Sequence, residues 1–171
     1  MHFQSLTILS LAAFAVALPA SLQTRQAGVL QATTFNDISI AGGQAGNAEE
    51  EAAAAFSALD LTDPASVSKA DQDFLNEVNQ VANDAEKEAF NPAVEAATGT
   101  AAEAAQNGKI KNKVLKLMAT VIKLEAQQAQ GEDVAAKLAE ETKKLDNNIA
   151  TDKANAGQAS TAVPFDAAIA A

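Results

Sequence analysis

The sequence predicts an all-α protein: a bundle of five or six alanine-rich helices with a mainly irregular N-terminal arm and C-terminal tail. Three observations carry that expectation. Apolar residues recur at steps of three and four through the long segments, as the core-facing stripe of a helix requires. Gly, Asn and Pro punctuate the chain at short intervals, which suits brief helix–helix connections. β-Branched alternation is confined to Ile38 to Ile40, too little to build a sheet.

Taken in order, residues 1–17 read as a secretory signal peptide. Leu6 to Leu18 are mostly apolar, and Ala15-Val16-Ala17 places small residues at the two positions a signal peptidase reads, so cleavage is expected after Ala17. The apolar run is too short to span a bilayer and no stop-transfer segment follows it. Residues 18–25, "LPASLQTR", end at Arg25, the only arginine. A cut there would release a short pro-segment; the alternative is an unprocessed arm. Residues 26–46 form an arm ending in the glycine-rich "AGGQAG".

Helices are expected across 47–156. Asn47 reads as an N-cap with Glu50 three residues on, ahead of an alanine run. Asp63-Pro64 restarts the chain, and Ser68 with Asp71 starts a helix in which Phe74, Val78, Val81 and Ala85 share one face. Asn91-Pro92 is expected to end it. Two short pieces follow, Pro92 to Ala97 and a segment from Thr100 that stops at Asn107-Gly108. From Lys109 to Gln130, Ile110, Val114, Leu117, Val121 and Leu124 form one apolar row and Leu115, Met118 and Ile122 a second, marking a buried central helix. Val134, Leu138, Leu145 and Ile149 mark the last helix, ending near Asn155 to Gly157, before a small-residue tail over 157–171.

Composition removes most chemistries. The chain has no Cys, Trp or Tyr, and its one histidine, His2, leaves with the leader. The mature protein therefore has no side chains for the common zinc sites, a His-based triad or thiol chemistry. It is read as non-enzymatic, with no catalytic residue, cofactor or metal. Asp and Glu outnumber Lys and Arg by 22 to 12, a net charge of −10, which speaks against nucleic acid as a partner. There is no Asn-x-Ser/Thr triplet, and no membrane-spanning segment is expected after cleavage.

The glycine-rich stretch before Glu49-Glu50-Glu51 invites a phosphate-loop reading. A Walker loop closes on Lys-Ser/Thr, whereas three glutamates would repel a phosphate and instead favour the start of a helix. The G-x-G-x-x-G spacing of a dinucleotide fold is also missing. A turn before a helix is the better reading.

The succession "TFNDISIAGGQAGNA", "DFLNEVNQVANDAEKEAFNPAVEAATG" and "GKIKNKVLKLMATVIKLEAQQAQGED" resembles the cysteine-free small secreted proteins of filamentous ascomycete fungi, over nearly the whole mature chain. The resemblance implies an exported helical protein, a candidate effector or surface protein, and assigns no activity. A looser similarity, resting on size, alanine content and helicity, is to fungal helical wall proteins that bind hydrophobic surfaces or lipids.

Two charge patterns need weighing. Lys109, Lys113, Lys116 and Lys123 lie on one side of the central helix, with Lys111 near its start. They read either as an interaction strip for anionic head groups or an acidic partner, or as lysines paired with Glu77, Glu86 and Glu88 across the bundle. The acidic neighbours Asp71/Asp73, Glu86/Glu88 and Glu132/Asp133 read as solvated faces, because adjacent helical residues point apart.

The expected function is interaction at or outside the fungal cell surface, with an unidentified protein or surface partner. The alternative is an extracellular carrier holding a lipid or other apolar ligand between its helices. Export has a direct test. Protein from culture medium is expected to begin at Leu18, or at Gln26 if Arg25 is processed, by N-terminal mass spectrometry; an intact Met1 form found only inside cells contradicts it.

Overall fold

The computed structural model describes residues 27–170. The leader, its Ala15 and Ala17 cleavage positions and the Arg25 processing position lie outside the described residues. Strand β1 (Thr33–Thr34) runs into the single-turn helix α1 (Phe35–Ile38), then β2 (Gly43–Gln44) and α2 (Ala48–Ala55). A 3-10 turn (Pro64–Ser66) precedes α3 (Lys69–Ala85), a π-helical turn (Glu86–Phe90) and α4 (Asn91–Ala96). The chain finishes with α5 (Thr100–Ala129), α6 (Ala135–Ala154), β3 (Ala159–Ser160) and β4 (Ala168–Ile169). The fold is all-α as expected, with five helices beyond the single turn among the described residues.

Helix α5 is the buried centre. It packs against α3 and α6, with α2 and α4 touching it as well. Both expected apolar rows face inward: Ile110, Val114, Leu115, Leu117, Val121, Ile122 and Leu124 are buried, and Met118 packs partly buried against them. Small residues, Ala82 and Ala85 of α3 and Ala119 and Ala126 of α5, are also buried, which lets helices approach closely while each contributes little apolar area.

Two expected breaks are absent. Helix α3 does not end at Asn91-Pro92: it passes through the π-helical turn into α4, with Asn91 in the right-handed helical region. There the Asn91 N–H donates to the Glu86 carbonyl, five residues back. Pro92 has no N–H to donate, and widening the ladder before it relieves the ring's clash with the carbonyl four residues back. Nor does Asn107-Gly108 stop a helix, since α5 runs unbroken through it. These residues seat the tail. Asn107 Nδ2 donates to the Ala159 carbonyl at 2.9 Å, and a Cβ at Gly108 would collide with the Thr161 carbonyl.

Arm and tail are mostly irregular, yet they fasten to each other. β1 pairs antiparallel with β4, aligning Thr33 with Ile169, and β2 pairs with β3, aligning Gly43 with Ser160. Phe35 meets Phe165 edge to face at 5.9 Å, and Phe35 and Ile169 are buried. The glycine-rich turn is therefore a paired segment, and at Gly46 (φ +115°) the backbone passes so close to Ala156 that a Cβ would lie 2.7 Å from the Ala156 Cβ. α2 begins at Ala48 as the sequence suggests, but the Asn47 side chain makes no capping bond. Asp152 of α6 supplies it, its Oδ2 accepting from the Ala48 N–H at 2.8 Å.

Gly108→Ala therefore has a sign opposite to helix propensity. Alanine in a free helix interior gains about 1 kcal/mol over glycine; here it is expected to destabilise by about 1–3 kcal/mol, because the tail's backbone must move. Leu117→Ala is expected to cost roughly 2–5 kcal/mol, and Glu50→Ala, at an exposed position, much less. Urea melts of the three variants check this ordering.

Candidate functional site

Lys111 is the most deeply buried polar side chain among the described residues. It faces inward on α5 and is fully buried, as the row of apolar neighbours dictates. Its ammonium meets three acceptors: the Gly42 carbonyl at 2.8 Å, the Gln44 carbonyl at 3.1 Å and Glu51 Oε2 at 2.6 Å. A lysine has three N–H bonds to donate, and this matches all of them. The glycine-rich stretch thus turns its carbonyls onto a cation, the reverse of a phosphate loop, and Glu51 belongs to the same cradle.

Glu51 also reaches a surface groove of about 540 Å³ between the arm and α2 and α3. Val29, Ile38, Ile40, Ala55, Ala58 and Phe74 supply an apolar lining, and Asp37 and Glu51 bring carboxylates to it. The arm's wall is held by a second buried charge. Asp71 Oδ1 accepts from the Val29 and Leu30 N–H groups at 2.8 and 2.9 Å, while Oδ2 accepts from Ser68 Oγ at 2.7 Å. Gly28 lies against this carboxylate, where a Cβ would stand 2.7 Å from Asp71 Oδ1. Val29 is left exposed beside the groove.

Lys113, Lys116 and Lys123 of the strip turn toward α3 and the π-helical turn that follows it. Lys116 pairs with Glu86 at 2.6 Å and Lys113 lies 3.9 Å from the same carboxylate. Lys123 donates to Asn76 Oδ1 at 2.8 Å. Burial pushes the Lys123 ammonium below the usual lysine range, and Lys137 and Lys69 nearby push the same way. Lys109 has no ion pair within 4.0 Å among the described residues. Pairing across the bundle therefore describes Lys113 and Lys116, through Glu86 rather than Glu77 or Glu88. The solvated-face reading fails for Asp71, which is buried, and for Glu86, whose side chain is mostly buried between two lysines. It holds for Glu88, Glu132 and Asp133, which are exposed.

Residues 30–164 match the family described as a domain of unknown function, DUF8454. The chain belongs to that family. The DUF8454 match takes in the Lys111 cradle, Asp71 and every groove residue except Val29, and it stops short of β4. No curated protein and no solved structure matches the chain. Among the described residues, no helix is long and apolar enough to cross a membrane, and no group of three or more acidic or histidine side chains is placed to hold a metal ion.

Sequence reasoning set Lys111 beside the strip and missed the cradle. One signal was available: at this position a lysine interrupts the inward face, between Ile110 and Val114. Lys111→Met is expected to destabilise the protein by about 3–5 kcal/mol, because it strands two carbonyls and leaves Glu51 without its partner. A urea midpoint equal to that of the unmodified protein contradicts the cradle.

Proposed function

We propose that the protein is exported and works outside the fungal cell as a non-enzymatic interaction module, with the groove between the arm and α2 and α3 as its recognition surface. The observation that carries this reading is a groove open to solvent whose lining mixes apolar side chains with the carboxylates of Asp37 and Glu51, on a chain of net charge −10. Such a surface suits a partner segment with an apolar side chain flanked by lysine or arginine. The apolar contact supplies affinity, and the charges steer the encounter and fix orientation.

The resemblance to small secreted fungal proteins and the Ala15-Val16-Ala17 leader support export. The pairing of Lys113 and Lys116 with Glu86 weakens the case for an anionic membrane as the partner. The carrier reading is favoured by the same apolar lining, but it moves the ligand from the space between the helices to the groove under the arm.

Ala58 is exposed and lines the groove, so Ala58→Trp fills it without disturbing the core. A labelled peptide carrying leucine or phenylalanine between lysines is expected to bind the mature protein, more weakly as salt rises, and Ala58→Trp is expected to weaken it by at least about tenfold, ~1.4 kcal/mol. Binding indifferent to Ala58→Trp contradicts the assignment. Loading of a neutral fluorescent lipid, blocked by Ala58→Trp and unaffected by salt, makes the protein a carrier instead.

A further inference from the structure

On another part of the molecule three helices each turn a polar stripe toward one cleft. Asn79 and Asn83 of α3, Lys113 and Lys116 of α5, and Glu141, Lys144 and Asn148 of α6 enclose about 280 Å³ above Leu117. Spacings of four, three, and three then four place each set on a single helical face. The stripes are partly exposed, so their hydrogen-bonding groups face the open cleft and are within reach of a ligand.

The charges in and behind this cleft balance. Lys116 lies 2.6 Å and Lys113 3.9 Å from Glu86, and Lys144 lies 2.7 Å from Glu140 and 3.1 Å from Glu141. An added anion would have to compete with Glu86 for Lys116. The amides, in contrast, have capacity to spare. Asn79 uses its Nδ2 on Thr120 Oγ1, and Asn148 uses its Nδ2 on the Lys144 carbonyl, so each keeps its Oδ1 as an acceptor. Asn83 receives Lys116 on Oδ1 and keeps its NH₂ as a donor, and Lys113 has only its long contact to Glu86.

Spare donors and spare acceptors side by side, with no net charge to neutralise, fit a ligand whose groups both donate and accept. We propose that this cleft binds a neutral polyhydroxylated molecule, a single saccharide unit held by its hydroxyl edge over Leu117. No aromatic ring lines it, so affinity rests on hydrogen bonds and belongs in the millimolar range.

The test is a titration of the mature protein with glucose, mannose and N-acetylglucosamine, and separately with inorganic phosphate, following the side-chain amide resonances of Asn79, Asn83 and Asn148. At least one sugar is expected to shift these resonances saturably and independently of salt. Asn148→Ala and Lys113→Met, at partly exposed positions, are each expected to weaken that binding by up to about tenfold with the fold's backbone spectrum retained. The proposal is overturned if none of the sugars shifts the three amides saturably, if phosphate shifts them and the sugars do not, or if both substitutions leave the sugar affinity unchanged. Ala58→Trp is expected to leave sugar binding intact, which separates this cleft from the groove under the arm.

Discussion

Burying a whole lysine side chain is unfavourable unless oxygen acceptors are carried to its ammonium, and the placing of the N-terminal arm follows from that requirement. Lys111 sits on the innermost face of the central helix. To reach it, Gly42 and Gln44 must present their carbonyls and α2 must bring Glu51 to the same point. Once that segment is fixed, β2 is in position for β3, and the tail is drawn across α5 at Gly108. A charge that looks misplaced in a helical wheel thus orders the chain's two irregular segments.

Two buried carboxylates tie distant segments together in the same way. Asp152 reaches from α6 to cap α2, and Asp71 reaches from α3 to hold the backbone ahead of β1. Each satisfies backbone N–H groups far away in sequence, where an unpaired donor would be costly. Glycines stand where these approaches are tightest, at Gly28 against Asp71, Gly46 against Ala156 and Gly108 against Thr161. A core rich in alanine buries little area per residue, so such specific ties contribute a large share of what selects one arrangement. The arm's side of the groove is fixed where Asp71 of α3 binds the Val29 and Leu30 N–H groups.

Periodicity made much of this legible. The two apolar rows of α5 apart from the partly buried Met118, the Phe74–Val78 face of α3 and the Leu145–Ile149 face of α6 are buried as their spacing indicates, since burial of a stripe is a local property of a helix. Punctuation was less reliable. Pro92 and Asn107-Gly108 have the local chemistry of helix ends, but a π-helical turn absorbs the first and the crossing tail accounts for the second. The single turn at Phe35 to Ile38 was hidden by its strand-like neighbours. Asp71, Asp152 and Lys111 were illegible as a site for one reason: each is defined by partners roughly forty to a hundred residues away, and one sequence gives no means of pairing them. The three polar stripes of the second cleft were visible singly, never as a convergence.

The central claim is that Lys111 makes arm and tail part of the cooperative core. Native-state hydrogen exchange tests it most directly, read at the Ala45 and Gly157 amides, which bond the Gln158 and Ala45 carbonyls across the arm–tail contact, and at the Leu115 amide within α5. If the cradle governs the fold, all three exchange only through global unfolding and report the same opening free energy. Rapid exchange at Ala45 and Gly157 while Leu115 stays protected would show that arm and tail open independently, and would contradict the account.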